Sequence, residues 1–193
     1  LIVRLIRQLV TAGINDLVIN HAWLGEQIES AIGNGHALGA KVQFSPEQTA
    51  LETAGGVAQA LPLLGSDPFL VVNADLFTDF DFSLAKQWQQ QIQVGSILGI
   101  CMLVPNPAHH ADGDFALEEG LVRNQGRRML TYAGIAAFAP AFFAPVQAGE
   151  RAPLAPLLRA AADYGRLAGI AHEGLWSDVG TPERLSELNH WQS

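Results

Sequence analysis

Two aspartates stand where a chain of this pattern would meet a charged ligand. Asp75 follows Phe69-Leu-Val-Val72, a short apolar run after the turn signal Asp67-Pro68. Such a run fits a strand buried on both faces of a parallel sheet. It breaks off into Asn73-Ala74-Asp75, and in open α/β sheets ligands bind outside the carboxyl ends of the strands. Asp178, in Trp176-Ser-Asp-Val-Gly-Thr181, again sits beside a short strand and ahead of a helix N-terminus. A lone aspartate after a strand commonly just satisfies a turn. Two carboxylates converging at one sheet edge make a hard-oxygen site suited to Mg²⁺ carrying substrate phosphates.

A second candidate is Glu52-Thr53-Ala54-Gly55-Gly56, expected as a loop that runs into a helix over 57–64. Adjacent glycines at a helix start let backbone N–H and C=O groups approach a flat ligand closely. The remaining motifs carry less. Gly33-Asn-Gly-His-Ala-Leu-Gly39 has one residue too many for a dinucleotide fingerprint, and it follows a helix instead of a strand, so it reads as a turn. His109-His110 lacks the further ligands of a zinc site and reads as part of a flexible polar loop covering a substrate. In that loop Gly113 N–H and the Asp114 carboxylate could bond hydroxyls. Cys101 has no neighbouring base and reads as core.

The elements that must position these residues follow a wound α/β order. Leu1, Leu5, Ile6, Leu9 and Val10 repeat at helical spacing, with Arg4, Arg7 and Gln8 assigned to the other side and Gly13 closing the helix. Strands are expected over 16–20, 41–45, 69–72, 95–104, 132–138, 167–172 and 176–179, with shorter pieces around 116–123. Helices are expected over 23–32, with Leu24, Ile28 and Ile32 as one stripe, and over 57–64, 83–92 and 153–164. A last helix begins at Thr181, with Thr as N-cap and Pro182 at its first position. Alternating helices and strands predict a mixed, mostly parallel sheet flanked by helices, in one domain over 1–193.

Composition excludes several classes. The formal net charge is −8, from 11 Lys+Arg against 19 Asp+Glu, which argues against a nucleic-acid surface. The apolar fraction is 49 %, with no run approaching a membrane span of roughly 18 residues. The single cysteine forms no internal disulfide, which points to a reducing cytoplasm. The chain opens inside a helical pattern without an initiator Met, so an upstream segment is expected.

The order Leu51-Glu-Thr-Ala-Gly-Gly56, Val72-Asn-Ala-Asp75 and Trp176-Ser-Asp-Val-Gly-Thr181 resembles the sugar-1-phosphate nucleotidyltransferases. Within them, Asn20-His-Ala-Trp-Leu24, Asn106-Pro-Ala-His-His110 with Gly113-Asp-Phe115, and Leu154-Ala-Pro-Leu-Leu158 look like the bacterial N-acetylmuramate 1-phosphate uridylyltransferases of cell-wall recycling. The resemblance implies a Rossmann-like nucleotidyltransferase fold with nucleotide and sugar halves around one cleft. It implies that Glu52, Thr53, Gly55, Gly56 and Asn73 bind the nucleotide, and that Asp75 and Asp178 hold Mg²⁺. Gly113, Asp114 and Gly134 would face the sugar. A sugar 1-phosphate would attack the α-phosphorus of UTP and release pyrophosphate, with no protein nucleophile.

Two departures from the family follow. Its glycine-rich phosphate loop, with an Arg and a following Lys, belongs before Leu1. Many relatives also carry a Glu-Lys pair whose Lys meets the sugar phosphate; none is found here, and Arg151 and Arg159 are only weak substitutes. The alternatives are a mannose-1-phosphate guanylyltransferase, a glucose-1-phosphate thymidylyltransferase and a non-catalytic regulatory relative that keeps the fold. Retention of both Asp75 and Asp178 argues against the last.

Overall fold

Strand residues alternate between two apolar layers in the structure, a computed structural model that describes residues 1–191. In β5 (Gly99–Val104) all six residues are buried. Cys101 and Leu103 join one cluster, and Ile100, Met102 and Val104 the other. β8 (Met129–Phe138) alternates likewise, with Ala136 and Phe138 on the first side and Ile135 and Ala137 on the second. Helices α3 (Glu52–Leu64) and α5 (Leu154–Asp163) close the first layer. There the Phe138 ring lies 4.3 Å from Phe142 and 5.3 Å from Phe143 between centroids, a close-packed aromatic cluster. Helices α1 (Ile2–Thr11) and α4 (Ala85–Val94) close the second layer through Leu5, Leu9, Trp88 and Ile92.

The main sheet has the order β3-β8-β5-β9-β7-β6, with β3 Phe69–Val72, β6 Phe115–Glu118, β7 Leu121–Arg123 and β9 Leu167–Ala171. β5 and β9 pair in parallel, while β8 runs against both β3 and β5. Strands β3, β5, β6 and β9 therefore share one direction, four of the six, and the α/β class with a mixed sheet holds. Two smaller pairs complete the chain. β1 (Asp16–His21) and β2 (Lys41–Pro46) are parallel; β4 (Leu76–Thr78) and β10 (Trp176–Asp178) are antiparallel. The last helix, α6 (Pro182–Trp191), starts as its Thr-Pro signal predicts, with Thr181 Oγ1 accepting from Arg184 N at 3.3 Å. Among the described residues no helix is long and apolar enough to cross a membrane.

Several local expectations are corrected. β3 is not enclosed by parallel neighbours: its ladder partner is the antiparallel β8, and only Phe69 is fully buried. α3 starts at Glu52, so the Glu52–Gly56 stretch is helix and not loop. Residues Trp23 and Leu24 precede α2 (Gly25–Ile32) and are 83 % and 52 % exposed, so the apolar stripe there is shorter than the periodicity implied. Arg4 and Gln8 are not on a solvated face. Both donate to the Thr78 carbonyl, at 3.3 and 3.1 Å, and Arg4 lies over the Phe77 ring. α1 thereby clamps β4 as well as covering the sheet.

Between β1 and β3 lies a cavity of about 840 Å³, walled by Leu5 and Leu9 of α1 and by Val57 of α3. Among the described residues β1 pairs only with β2 and β3 only with β8, so each strand offers a free edge to this space. Two free edges across an apolar gap invite a further strand. We propose that an extended apolar segment seats there as a further strand. With these edges open the 193-residue chain should associate in light scattering. A strictly monomeric chain would contradict the proposal.

Candidate active site

The short β4–β10 ladder sets the site. Its register places Asp178 opposite Leu76, one residue from Asp75, and Val179 N donates to the Asp75 carbonyl at 2.8 Å. Both carboxylates consequently leave the same end of the same ladder. Trp176 ties β10 to the main sheet by donating Nε1–H to the Ala133 carbonyl at 2.9 Å. On the other side Asn73 N donates to the Gly134 carbonyl at 2.9 Å. Gly134 has φ +74°, and an added Cβ would come 2.7 Å from Asn73 Nδ2. It lies where the β5–β8 register shifts, a bulge of the kind that re-aims backbone beside sites.

Asp75, Asp178, Asn73 and Gly134 line a cleft of about 360 Å³ together with His109 and His110. Asp75 is exposed, and its carboxylate has no hydrogen bond or ion pair among the described residues. Asp178 is held by Arg184, whose Nη1 lies 2.8 Å from Oδ2 and 3.3 Å from the Asp178 carbonyl. His109 Nε2 lies 3.4 Å from the same oxygen. Two carboxylates of this kind fit a hard divalent ion. Among the described residues no group of three or more His, Cys, Asp or Glu side chains is gathered for one. An ion at the pair would take its remaining ligands from substrate oxygens and water, the usual habit of Mg²⁺.

The larger cavity meets this cleft at Asn73, which lines both. Glu52, Thr53 and Gly56 line its far wall from the first turns of α3. Glu52 has φ +59°, a conformation uncommon outside glycine, and its carboxylate meets Arg151 at 2.7 Å. Gly56 is held close to two polar side chains from strand ends. Asn20 Nδ2 donates to the Gly56 carbonyl at 2.7 Å and to Glu47 Oε1 at 3.3 Å, while Glu47 Oε2 accepts from Leu51 N at 2.8 Å.

Three expected residues stand apart from these cavities. Gly55 packs against the Glu150 carbonyl, and its N–H donates to the Ala152 carbonyl at 3.0 Å, so its missing side chain lets segment 150–152 approach the helix. Gly113, at φ +67°, packs on Asn106. The Asp114 carboxylate is engaged twice, by His110 Nε2 at 3.0 Å and by Tyr132 N at 2.9 Å. It anchors the loop below the cleft instead of facing it. Residues missed by the sequence reading include Glu47 and Arg184. The carboxyl-end rule that singled out Asp75 applies equally to Asn20 and Glu47, at or just beyond the ends of β1 and β2. Arg184 gave no signal beyond a helix start. Burial pushes the Cys101 thiol up to about 12, which agrees with its reading as core.

An acidic pair at strand ends opens onto a cleft that meets, at Asn73, a larger cavity beside a helix start in an α/β protein. The chain belongs to the nucleotidyl transferase family, whose model matches residues 1–118. It is 48 % identical over 184 residues to the N-acetylmuramate alpha-1-phosphate uridylyltransferase of Neisseria meningitidis, a match covering 93 % of this chain and 79 % of the relative. The protein of the same name from Caulobacter vibrioides is 30 % identical, over 95 % of this chain and 80 % of that one. Among solved structures, UDP-glucose pyrophosphorylase complexed with UDP-glucose superimposes with a TM-score of 0.73 at 17 % identity, over the whole of this chain and 87 % of the other. That likeness shows the fold: a Rossmann-like nucleotidyltransferase fold.

At Gly56 an added Cβ would lie 2.5 Å from Glu47 Oε1 and 3.0 Å from Asn20 Nδ2. Gly56→Val should therefore push apart the polar cluster that joins α3 to β1 and β2, and fill the cavity wall. Calorimetric titration of the nucleoside triphosphates should show the affinity of the bound one weakened by about 10-fold or more, the equivalent of 1.4 kcal/mol, with a cooperative melt retained. Unchanged affinity would mean that the glycine serves packing alone.

Proposed function

We propose that this protein transfers UMP from UTP to an amino-sugar 1-phosphate, N-acetylmuramate 1-phosphate, giving a UDP-sugar and pyrophosphate. One observation carries the reading. The Asp75 carboxylate, unpartnered among the described residues, and Asp178 both line a cleft that joins, through Asn73, a cavity lined by Glu52, Thr53 and Gly56. The 48 % identity to a uridylyltransferase of that name supports the choice of base and sugar. The setting proposed is the cytoplasm of a bacterium that recycles its cell wall.

In this scheme the nucleotide base sits at the Glu52–Gly56 end of the larger cavity, clear of the gap between β1 and β3, and its phosphates point toward Asn73. The sugar enters the smaller cleft over Gly134. An oxygen of the sugar 1-phosphate attacks the α-phosphorus, the bond to the bridging oxygen of the β-phosphate breaks, and pyrophosphate leaves with that electron pair. Asp75 and Asp178 would hold Mg²⁺, which when bound supplies neutralisation of the phosphoryl charge. Arg184 holds Asp178 in place by two contacts. Nothing in the reaction asks for a nucleophilic side chain; positioning and charge balance suffice.

Pyrophosphate release should be measured across four nucleoside triphosphates and a panel of sugar 1-phosphates. UTP with N-acetylmuramate 1-phosphate should dominate; preference for GTP with mannose 1-phosphate, or dTTP with glucose 1-phosphate, would replace the reading. In the full-length protein Asp75→Asn and Asp178→Asn should each lower kcat by about 10²–10³-fold or more. The Asp75 variant should keep its melting temperature, because that carboxylate holds no partner among the described residues. Near-normal turnover of either variant in Mg²⁺ would refute the metal assignment.

A further inference from the structure

The smaller cleft binds an anionic substrate in the proposed reaction, yet among the described residues no lysine or arginine lines it. Arg184 is committed to Asp178 through two contacts of one nitrogen. Arg151 pairs with Glu52 on the other cavity, and Arg159 lies over the Phe115 ring. Apart from the Asn73 amide, the side-chain nitrogen donors left on the cleft wall belong to His109 and His110.

These two histidines are not equivalent. His110 spends Nε2 on Asp114 at 3.0 Å. His21 and His172 likewise hold carboxylates, at 2.7 and 2.9 Å. His109 differs. Its Nε2 stops 3.4 Å from Asp178 Oδ2, beyond good hydrogen-bond length, and its side chain is 42 % exposed on the cleft. The ring is also carried on a braced turn instead of a loose loop. Asn106 Oδ1 accepts from Thr131 Oγ1 at 3.0 Å, Asn106 Nδ2 donates to the Ala111 carbonyl at 2.8 Å, and His110 N donates to the Pro107 carbonyl at 2.9 Å. Asp114 then pins His110 to the backbone of Tyr132. Such bracing holds a donor at a fixed place, which is what recognition requires.

We infer that His109 is a substrate-binding residue whose ring N–H donates to an anionic oxygen of the acceptor sugar phosphate. This rests on the proposed sugar-phosphate reaction. In it, Asn106, His110 and Asp114 are the residues that position His109. The oxygen belongs either to the 1-phosphate or to a carboxylate on the sugar, and substrate pairs separate the two.

The test uses the full-length protein with saturating UTP and Mg²⁺. His109→Ala should raise KM for N-acetylmuramate 1-phosphate about 10- to 100-fold, the range for a hydrogen bond to a charged group. KM for UTP and the Mg²⁺ activation constant should stay within twofold, which also reports an intact fold. His109→Asn, which keeps an N–H donor, should recover part of the loss; His109→Phe should not. An equal loss with N-acetylglucosamine 1-phosphate, which lacks the carboxylate, assigns the contact to the phosphate; a loss confined to the acidic sugar assigns it to the carboxylate. Unchanged sugar-phosphate KM in His109→Ala, or an equal rise for UTP, overturns the inference. A wild type that turns over no sugar phosphate overturns the underlying reaction instead.

Discussion

Three residue pairs of antiparallel ladder decide where the two candidate site carboxylates of this protein fall. β4 and β10 are distant in sequence, and their register sets Asp178 opposite Leu76, at the end of the ladder where Asp75 enters it. A slip of one residue would turn the β10 side chains, Asp178 among them, to the opposite face. The ladder is correspondingly well fixed. Leu76, Phe77 and Thr78 are all buried, Arg4 and Gln8 of α1 grip the Thr78 carbonyl, and Trp176 is bonded to β8. Short strands are weak alone, so this one draws its stability from the helix and sheet around it.

Charge explains the next layer of organisation. A protein of net charge −8 that handles phosphates must concentrate its cations locally. Near the carboxylate pair that role falls to Arg184, against Asp178, while Asp75 is left open among the described residues. The asymmetry is physically sensible. One carboxylate is preoriented by a cation and the other is free to take an ion with little rearrangement. Across the larger cavity Arg151 and Glu52 form the corresponding local pair.

Much of this was legible in the sequence, for reasons that differ by residue. Buried strands such as β5 and β8 announce themselves by uninterrupted apolar runs, and α6 by its Thr-Pro start. Asp75 and Asp178 were legible because strand ends in α/β folds face the ligand. Side-chain commitments were not. Asp114 looks like a free carboxylate until its bonds to His110 and Tyr132 are seen, and Gly55 looks like Gly56 until segment 150–152 is placed against it. The helical start at Glu52 was hidden by two glycines, whose low helix propensity is overridden by tertiary packing. Arg4 and Gln8 read as solvated because periodicity reports apolar faces and is silent on polar groups that cap another strand. The stiffness of the 106–114 turn came from bonds to β8 that no local pattern encodes.

The account stands or falls on Asp75 and Asp178 acting together on one ion. Mn²⁺ can replace Mg²⁺ as a spectroscopic probe of hard-oxygen sites. Electron paramagnetic resonance of the full-length protein with Mn²⁺ and UTP should show one protein-held ion per chain in the wild type. Asp75→Asn and Asp178→Asn should each lose it, leaving only the signal of Mn²⁺ on free nucleotide. Retention of the protein-held ion in both single variants would contradict the account, because the ladder would then be placing the two carboxylates together for some other purpose.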